Sequence, residues 1–284
     1  MLVFDHVGKS FGEHRAVDDL SFELTAGEVF GLLGPNGAGK TTAINMAVGL
    51  LEPDVGVVRF VGEAFDLDPR EADNRGALGL APQSVALYEE LSAADNLRFF
   101  GRLYGLSSGD LEDRVASCLD FADLAEVRNK VVSKYSGGMK RRLNLAVAIV
   151  HDPDLVLLDE PTVGVDPQSR NAIFERVEQL RFEGKQVIYT THYIEEAQRL
   201  CDRVAIVDRG RLLALDTVHA LIEGHGGAGR LKVVTDAGDL SYATTDPLRT
   251  LSALQKEHAI EHFRYQPPDL ETVFLSLTGR ALRD

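Results

Sequence analysis

Residues Gly34, Pro35, Asn36, Gly37, Ala38, Gly39, Lys40, Thr41 and Thr42 contain the spacing G-x-x-x-x-G-K-[ST], and the chemistry of that pattern is phosphate capture. Its glycines let the backbone curl so that several N–H groups converge on one anion. Lys40 adds a full charge suited to the β- and γ-phosphates of a nucleoside triphosphate, and the Thr41 hydroxyl is a ligand for Mg²⁺. A second constellation is the run Leu155, Val156, Leu157, Leu158 ending in Asp159 and Glu160. Asp159 suits the shell of a Mg²⁺ ion, and Glu160 suits the polarisation of a water for in-line attack. A third is Tyr135, Ser136, Gly137, Gly138 and Met139. By residue type alone Ser136 reads as an N-cap ahead of an apolar-periodic helix.

These groups can act together only if the chain brings them to one place. Residues 29–33 form a continuous apolar run ending in glycine, the mark of a strand buried on both faces. A helical pattern through Ile44 and Val48 follows the glycine loop, so the loop is aimed by a helix N-terminus. Residues 155–158 predict a second buried strand. Ligands of open α/β sheets sit beyond the carboxyl ends of the strands, which places loop and carboxylates at one crevice.

The remaining periodicities supply the frame. Leu20, Phe22 and Leu24 alternate with polar residues, and residues 56–61 return to strand chemistry. From 92 to 150 the pattern is helical, through Leu97, Phe100 and Leu103, then Leu111, Val115 and Leu119, then Met139, Leu143, Ala146 and Val150. Strand and helix patterns alternate again to about residue 215, with Asp166-Pro167 opening a helix to about 182 and strands at 186–190 and 204–207. Such alternation implies a mainly parallel sheet with helices on both sides. The glycine-rich stretch 224–229 reads as a linker, and the residues after it as a small β/α appendage ending in a helix near 270–277.

With all three motifs in this order, the chain resembles the ATP-binding cassette (ABC) ATPases over residues 1 to about 216. The resemblance implies an α/β fold with a P-loop NTPase (RecA-like) core and a mainly parallel sheet. It adds an N-terminal antiparallel β subdomain and a helical subdomain inserted at about 90–150, within an ATPase domain of 1–223. Residues 224–284 would form a C-terminal extension. It also implies further site residues. Gln83 after Ala81-Pro82 matches the Q-loop glutamine that reaches Mg²⁺, Asp166 the D-loop aspartate, and His192 the switch histidine at the γ-phosphate. Phe11 aligns with the aromatic that stacks on adenine, with a core role as the alternative. Ser136, Gly137 and Gly138 become the signature that closes the ATP site of a second copy, so the resemblance implies a homodimer around two ATP and Mg²⁺. Lys140, Arg141 and Arg142, just inside that helix, read as a solvated face rather than a phosphate clamp.

Composition narrows the remaining choices. The 284 residues carry 30 Lys plus Arg against 44 Asp plus Glu, a net charge of −14, which argues against a large nucleic-acid footprint. Only Cys118 and Cys201 are present, too few for a disulfide framework. No stretch approaches the roughly 18 apolar residues of a membrane span, so work at a membrane would need another chain to hold this one there; the resemblance implies integral membrane permease subunits on separate chains as partners, at the cytoplasmic face of the cell membrane. Tyr135-Ser-Gly-Gly-Met139, the segment Glu160 to Pro167 and the tail Pro268 to Gly279 look like the exporters of the ABC-2 type, a branch that includes drug and antibiotic efflux pumps. The rival reading is a soluble ABC ATPase acting on ribosomes or DNA. Its relatives usually have two cassettes, coiled coils or zinc-binding cysteines, and this chain has a single glycine loop.

Overall fold

The computed structural model describes residues 1–61 and 66–280 and divides into two compact units, Met1–Leu213 and Ala214–Asp284. In the first unit, β1 (Leu2–Phe11), β2 (His14–Glu23), β4 (Val55–Val61) and β5 (Asp66–Leu67) form an antiparallel sheet in the order β2-β1-β4-β5. Phe4 stacks on Phe22 at 4.4 Å between ring centroids, and Phe22 on Phe30 at 4.8 Å, which ties this sheet to β3 (Val29–Leu33).

The second sheet has the order β10-β9-β3-β8-β7-β6, from β6 (Leu78–Ala81), β7 (Leu155–Asp159), β8 (Gln186–Thr191), β9 (Arg203–Asp208) and β10 (Arg211–Thr217). The pairs β3–β8, β3–β9, β7–β8 and β6–β7 are all parallel. Every residue of β3, β7 and β8 is buried, as befits central parallel strands covered on both faces. Register then does the positioning: Leu33 lies beside Thr191, and Asp159 beside Thr190. The glycine loop, the carboxylates and the residues before His192 therefore leave three adjacent strands at one level.

The helices α1 (Lys40–Ala47), α5 (Pro167–Phe182) and α6 (Ile194–Leu200) belong to this unit, as do α2 (Ala93–Leu103), α3 (Ser108–Phe121) and α4 (Gly137–Ala148) between β6 and β7 in the chain. The last three pack on one another, through Leu97, Leu111, Val115, Leu119 and Leu143, all 2% exposed or less. Asn144 of α4 accepts from Ala86 N at 3.1 Å and donates to Pro82 O at 3.3 Å, which moors the segment after Gln83. Cys118 and Cys201 are free and buried.

In the second unit β12 (Gly238–Thr244), β11 (Gly229–Thr235) and β13 (Ile260–Gln266) form an antiparallel sheet with β11 in the middle. Leu231 and Val233 pack against Leu251 and Leu254 of α8 (Pro247–Leu254). The other helices are α7 (Val218–His225), packed on α9 (Leu270–Thr278), which a capping box at Asp269 and Thr272 begins. The expected linker at 224–229 is shorter than its composition suggests. Thr217 caps α7 by accepting from Ala220 N at 3.2 Å, and the helix runs through Gly224 to His225. Glycine inside a helix costs about 1 kcal/mol, and the burial of Leu221 offsets it. The compact units part at Leu213/Ala214, ahead of the expected 223/224 boundary.

Gly79 holds β6 against the end of α4, since an added Cβ would lie 2.1 Å from Ala148 O. Gly79→Ala is expected to lower stability by about 1–3 kcal/mol, read as a lower urea midpoint with an unchanged slope.

Candidate active site

The glycine loop is shaped by positions that accept no side chain. Gly37 and Gly39 adopt φ of 81° and 101°, in the left-handed region open to glycine. A Cβ on Gly39 would also lie 2.4 Å from Ala16 O, and one on Gly34 2.3 Å from Val207 O. Ala38 turns inward, its N–H donating to Pro35 O at 3.1 Å, while Asn36, Gly37 and Thr41 face outward. Gly39 is the N-cap of α1, so free N–H groups of the first turn face the loop's hollow.

Lys40, only 4% exposed, donates to Gly34 O at 2.8 Å and Pro35 O at 3.1 Å, and pairs with Glu160 Oε1 at 2.9 Å. His192 Nδ1 stands 3.3 Å from the same oxygen. Gln83 Nε2 donates to Glu160 Oε2 at 3.1 Å. Glu160 sits just past β7 with φ 46°, a left-handed turn that redirects its side chain at the strand end. One hydroxyl organises both carboxylate residues: Thr190 Oγ1 accepts from Glu160 N at 2.9 Å and donates to Asp159 Oδ1 at 2.7 Å. Burial opposes ionisation of Glu160, but Lys40 and then His192 outweigh it and hold the carboxyl below the ordinary glutamate value of 4.5.

A cavity of about 360 Å³ is lined by Phe11, Asn36, Gly37, Gly39, Lys40, Thr41, Thr42, Gln83 and Glu160, a volume in the range of small-molecule sites; Asp159 and His192 are not among its lining residues and lie behind Glu160, through Thr190 and at 3.3 Å respectively. Phe11 is 53% exposed, so it is no core aromatic. His14 and Ala16 also line the cavity. Sequence reading passed over His14, though the hairpin that pairs it with Phe11 carried the signal. It also passed over Thr190, whose one trace was a hydroxyl at a strand end beside His192.

Ser136, Gly137, Gly138 and Asp166 do not line this cavity. Ser136 caps α4 by accepting from Met139 N at 3.3 Å and is exposed, as is Gly137. Gly138 is buried, and a Cβ there would lie 2.1 Å from Ser169 Oγ. Asp166 caps α5 by accepting from Ser169 N at 2.9 Å. The signature turn and Asp166 are thus joined through Ser169 into a second surface feature.

The basic run after Gly138 is not the solvated face expected from its charge. Lys140 pairs with Glu89 at 2.5 Å, Arg141 donates to Gln83 O and to Val163 O, and Arg142 donates to Ala122 O and Asp123. These carbonyls were invisible in the sequence, because loops far apart in the chain supply them.

The family described as ABC transporter matches residues 17–163. The chain belongs to the ABC transporter ATP-binding family. Relatives over their whole length are the linearmycin resistance ATP-binding protein LnrL of Bacillus subtilis, 38% identical with 100% of both chains covered, and the Nod factor export ATP-binding protein I of Paraburkholderia xenovorans, 40% identical over 99% of this chain and 98% of the other. A solved ATP-binding subunit of an ABC transporter matches with TM-score 0.71 and 29% identity, over 80% of this chain and 93% of that one. The dimeric post-hydrolysis state of the ATP-binding cassette MJ0796, bound to ADP and Pi, matches with TM-score 0.68 and 25% identity, over 76% and 98%. The chain is an ATP-binding subunit and an ATPase of the ABC class, and the dimeric cassettes support its dimerisation.

Replacing Lys40 by methionine leaves the Glu160 carboxylate of this ABC subunit buried with weaker positive neighbours. Its pKa is expected to rise in a carbon-detected NMR titration of Lys40→Met. In the wild type the lowered pKa contributes stability above the ordinary glutamate value of 4.5, and that contribution fades as pH falls through the native pKa.

Proposed function

We propose that this chain is the nucleotide-binding subunit of a membrane exporter, acting as a head-to-tail homodimer around two Mg·ATP and driving permease subunits on separate chains. One observation carries the reading. Glu160 is held between Lys40, His192 and Gln83 over the glycine loop, while Ser136 and Gly137 stand exposed outside that cavity. Each copy thus has a half-site and, elsewhere, a helix N-terminus free to complete another's.

Donor chemistry fits Mg²⁺. Thr41, Gln83 and Asp159 offer hydroxyl, amide and carboxylate oxygens, the hard ligands this ion takes in small number alongside water and phosphate. Those residues would hold Mg²⁺, and the ion would supply positive charge against the negative charge that develops during phosphoryl transfer. On this reading the protein's own residues act as follows. Lys40 exchanges its Glu160 partner for the β- and γ-phosphates. Glu160, relieved of that cation, becomes more basic and accepts a proton from a water whose oxygen attacks the γ-phosphorus in line; the bond from that phosphorus to the bridging β-phosphate oxygen breaks, and ADP and phosphate leave. His192, beside Glu160, steadies the γ-phosphate, and Phe11 stacks on the base. Ser136 and the N–H groups of Gly137 and Gly138 from the second copy face the γ-phosphate, with Asp166 beside them at that contact.

Export is the reading that fits the relatives named for linearmycin resistance and Nod factor export, which match over essentially the full chain. No helix among the described residues is long and apolar enough to cross a membrane, so the span would belong to the permease, with this subunit peripheral at its cytoplasmic face. All of the proposed site residues fall within Met1–Leu213; residues 224–284 are proposed as a C-terminal extension of the 1–223 ATPase domain.

Glu160→Gln is expected to bind ATP, to migrate as a dimer in its presence and to turn over at least roughly 100-fold more slowly. Phosphate release and size-exclusion chromatography read both, and near-normal turnover removes Glu160 from its role. After detergent solubilisation, pull-down of the tagged chain should recover an integral membrane protein; recovery with ribosomes or DNA instead refutes the transporter assignment.

A further inference from the structure

The helix α6 turns one carboxylate into the protein. Glu196 is 2% exposed, and three hydroxyls converge on it: Thr162 Oγ1 donates to Oε1 at 2.7 Å, while Tyr189 OH and Thr191 Oγ1 donate to Oε2 at 3.0 and 2.8 Å. Arg170 Nε of α5 approaches Oε1 at 3.6 Å. A carboxylate so enclosed is costly to bury unless its lone pairs are met, and here neutral hydroxyls meet most of them. Thr162, Tyr189 and Thr191 are themselves at most 1% exposed, so their hydroxyls have no water to turn to.

None of these groups lines the nucleotide cavity, yet two of them adjoin the residues that do the chemistry. Thr162 lies in the turn closed by Val163 N donating to Glu160 O at 3.3 Å. Thr191 directly precedes His192; its carbonyl accepts from Gly34 N at 3.3 Å, and its hydroxyl also accepts from Tyr193 N at 2.9 Å. The ring of Tyr193 sits 4.2 Å from that of His192, and the Arg170 guanidinium lies over the Tyr193 ring at 5.1 Å. One carboxylate therefore holds two chain segments, one bearing Glu160 and the other His192. Those two groups meet 3.3 Å apart.

We propose that Glu196 is a positioning residue for ATP hydrolysis: by clamping Thr162 and Thr191 it fixes the placement of His192 against Glu160. This rests on the roles proposed above for those two residues. Glu196 does not line the cavity, so its removal acts on turnover and not on ATP affinity. A merely structural carboxylate would change stability and leave the His192 contact alone.

The test is Glu196→Gln in the full-length protein, which keeps the side-chain shape and removes the charge. It is expected to lower kcat about tenfold with KM for ATP within about twofold. In a His192→Ala background the same substitution should cost less than about twofold, because residues acting through one another are not additive. Thr191→Val, which removes a single hydroxyl, is expected to reproduce the fall in kcat and serves if Glu196→Gln does not fold. Unchanged kcat, a loss confined to KM, or additive costs would overturn the proposal. A second arm needs no turnover: among the 8 histidines, labelled and assigned by His192→Ala, the ring signal of His192 should move in Glu196→Gln in nucleotide-free protein. A stationary His192 signal refutes the clamp, whereas absent wild-type hydrolysis with a shifted signal falls on the ATPase reading alone.

Discussion

A single ion pair between Lys40 and Glu160 sits where the whole arrangement meets. Both side chains are nearly inaccessible to water, and opposite charges in such a place are tolerable only while each has the other or an equal substitute. The loop carbonyls of Gly34 and Pro35 hold part of the ammonium's hydrogen-bonding capacity. The carboxylate's remaining needs are met by Gln83 and by the nearby His192. Under the proposed mechanism an entering polyanion would compete with Glu160 for Lys40, so that occupancy of the cavity and the proposed role of Glu160 would be coupled through charge.

The parallel sheet makes this economy possible. Because β3, β8 and β7 run side by side in level register, three loops far apart in the chain emerge at one edge. Thr190 and Thr191, at the end of the middle strand, reach sideways: one hydroxyl orders Asp159 and Glu160, and the other leads to Glu196. Apolar strands provide the position, and a few hydroxyls at their ends provide the aim.

The signature turn follows a different logic. Gly138 is glycine because α4 presses on Ser169, and Ser136 is committed to capping its own helix. What remains open to another molecule is the exposed start of α4, together with the α5 cap at Asp166. Arg141 braces this region from within by donating to the Gln83 and Val163 carbonyls, which ties the loop carrying Gln83 to the segment that follows Glu160.

Much of this was legible in the residues. Glycine spacing, the lysine after it and carboxylates at the end of an apolar run are local patterns, because backbone curl, helix dipole and strand burial act over a few residues; hence the phosphate loop, the two acids and the strand–helix alternation could be read in order. Resemblance added Gln83, Asp166, His192 and Phe11, whose types alone named no role. What the chain order could not disclose was partnership at a distance. The choice of Glu160 as the partner of Lys40, the hydroxyls gathered on Glu196, the carbonyls that absorb Arg141 and Arg142, and the persistence of α7 through Gly224 all depend on which surfaces meet. Sequence determined which groups could bear charge or donate protons. Only the packed sheet decided which of them would lie within three ångströms or so of one another, because desolvation and hydrogen bonding are settled by proximity in space.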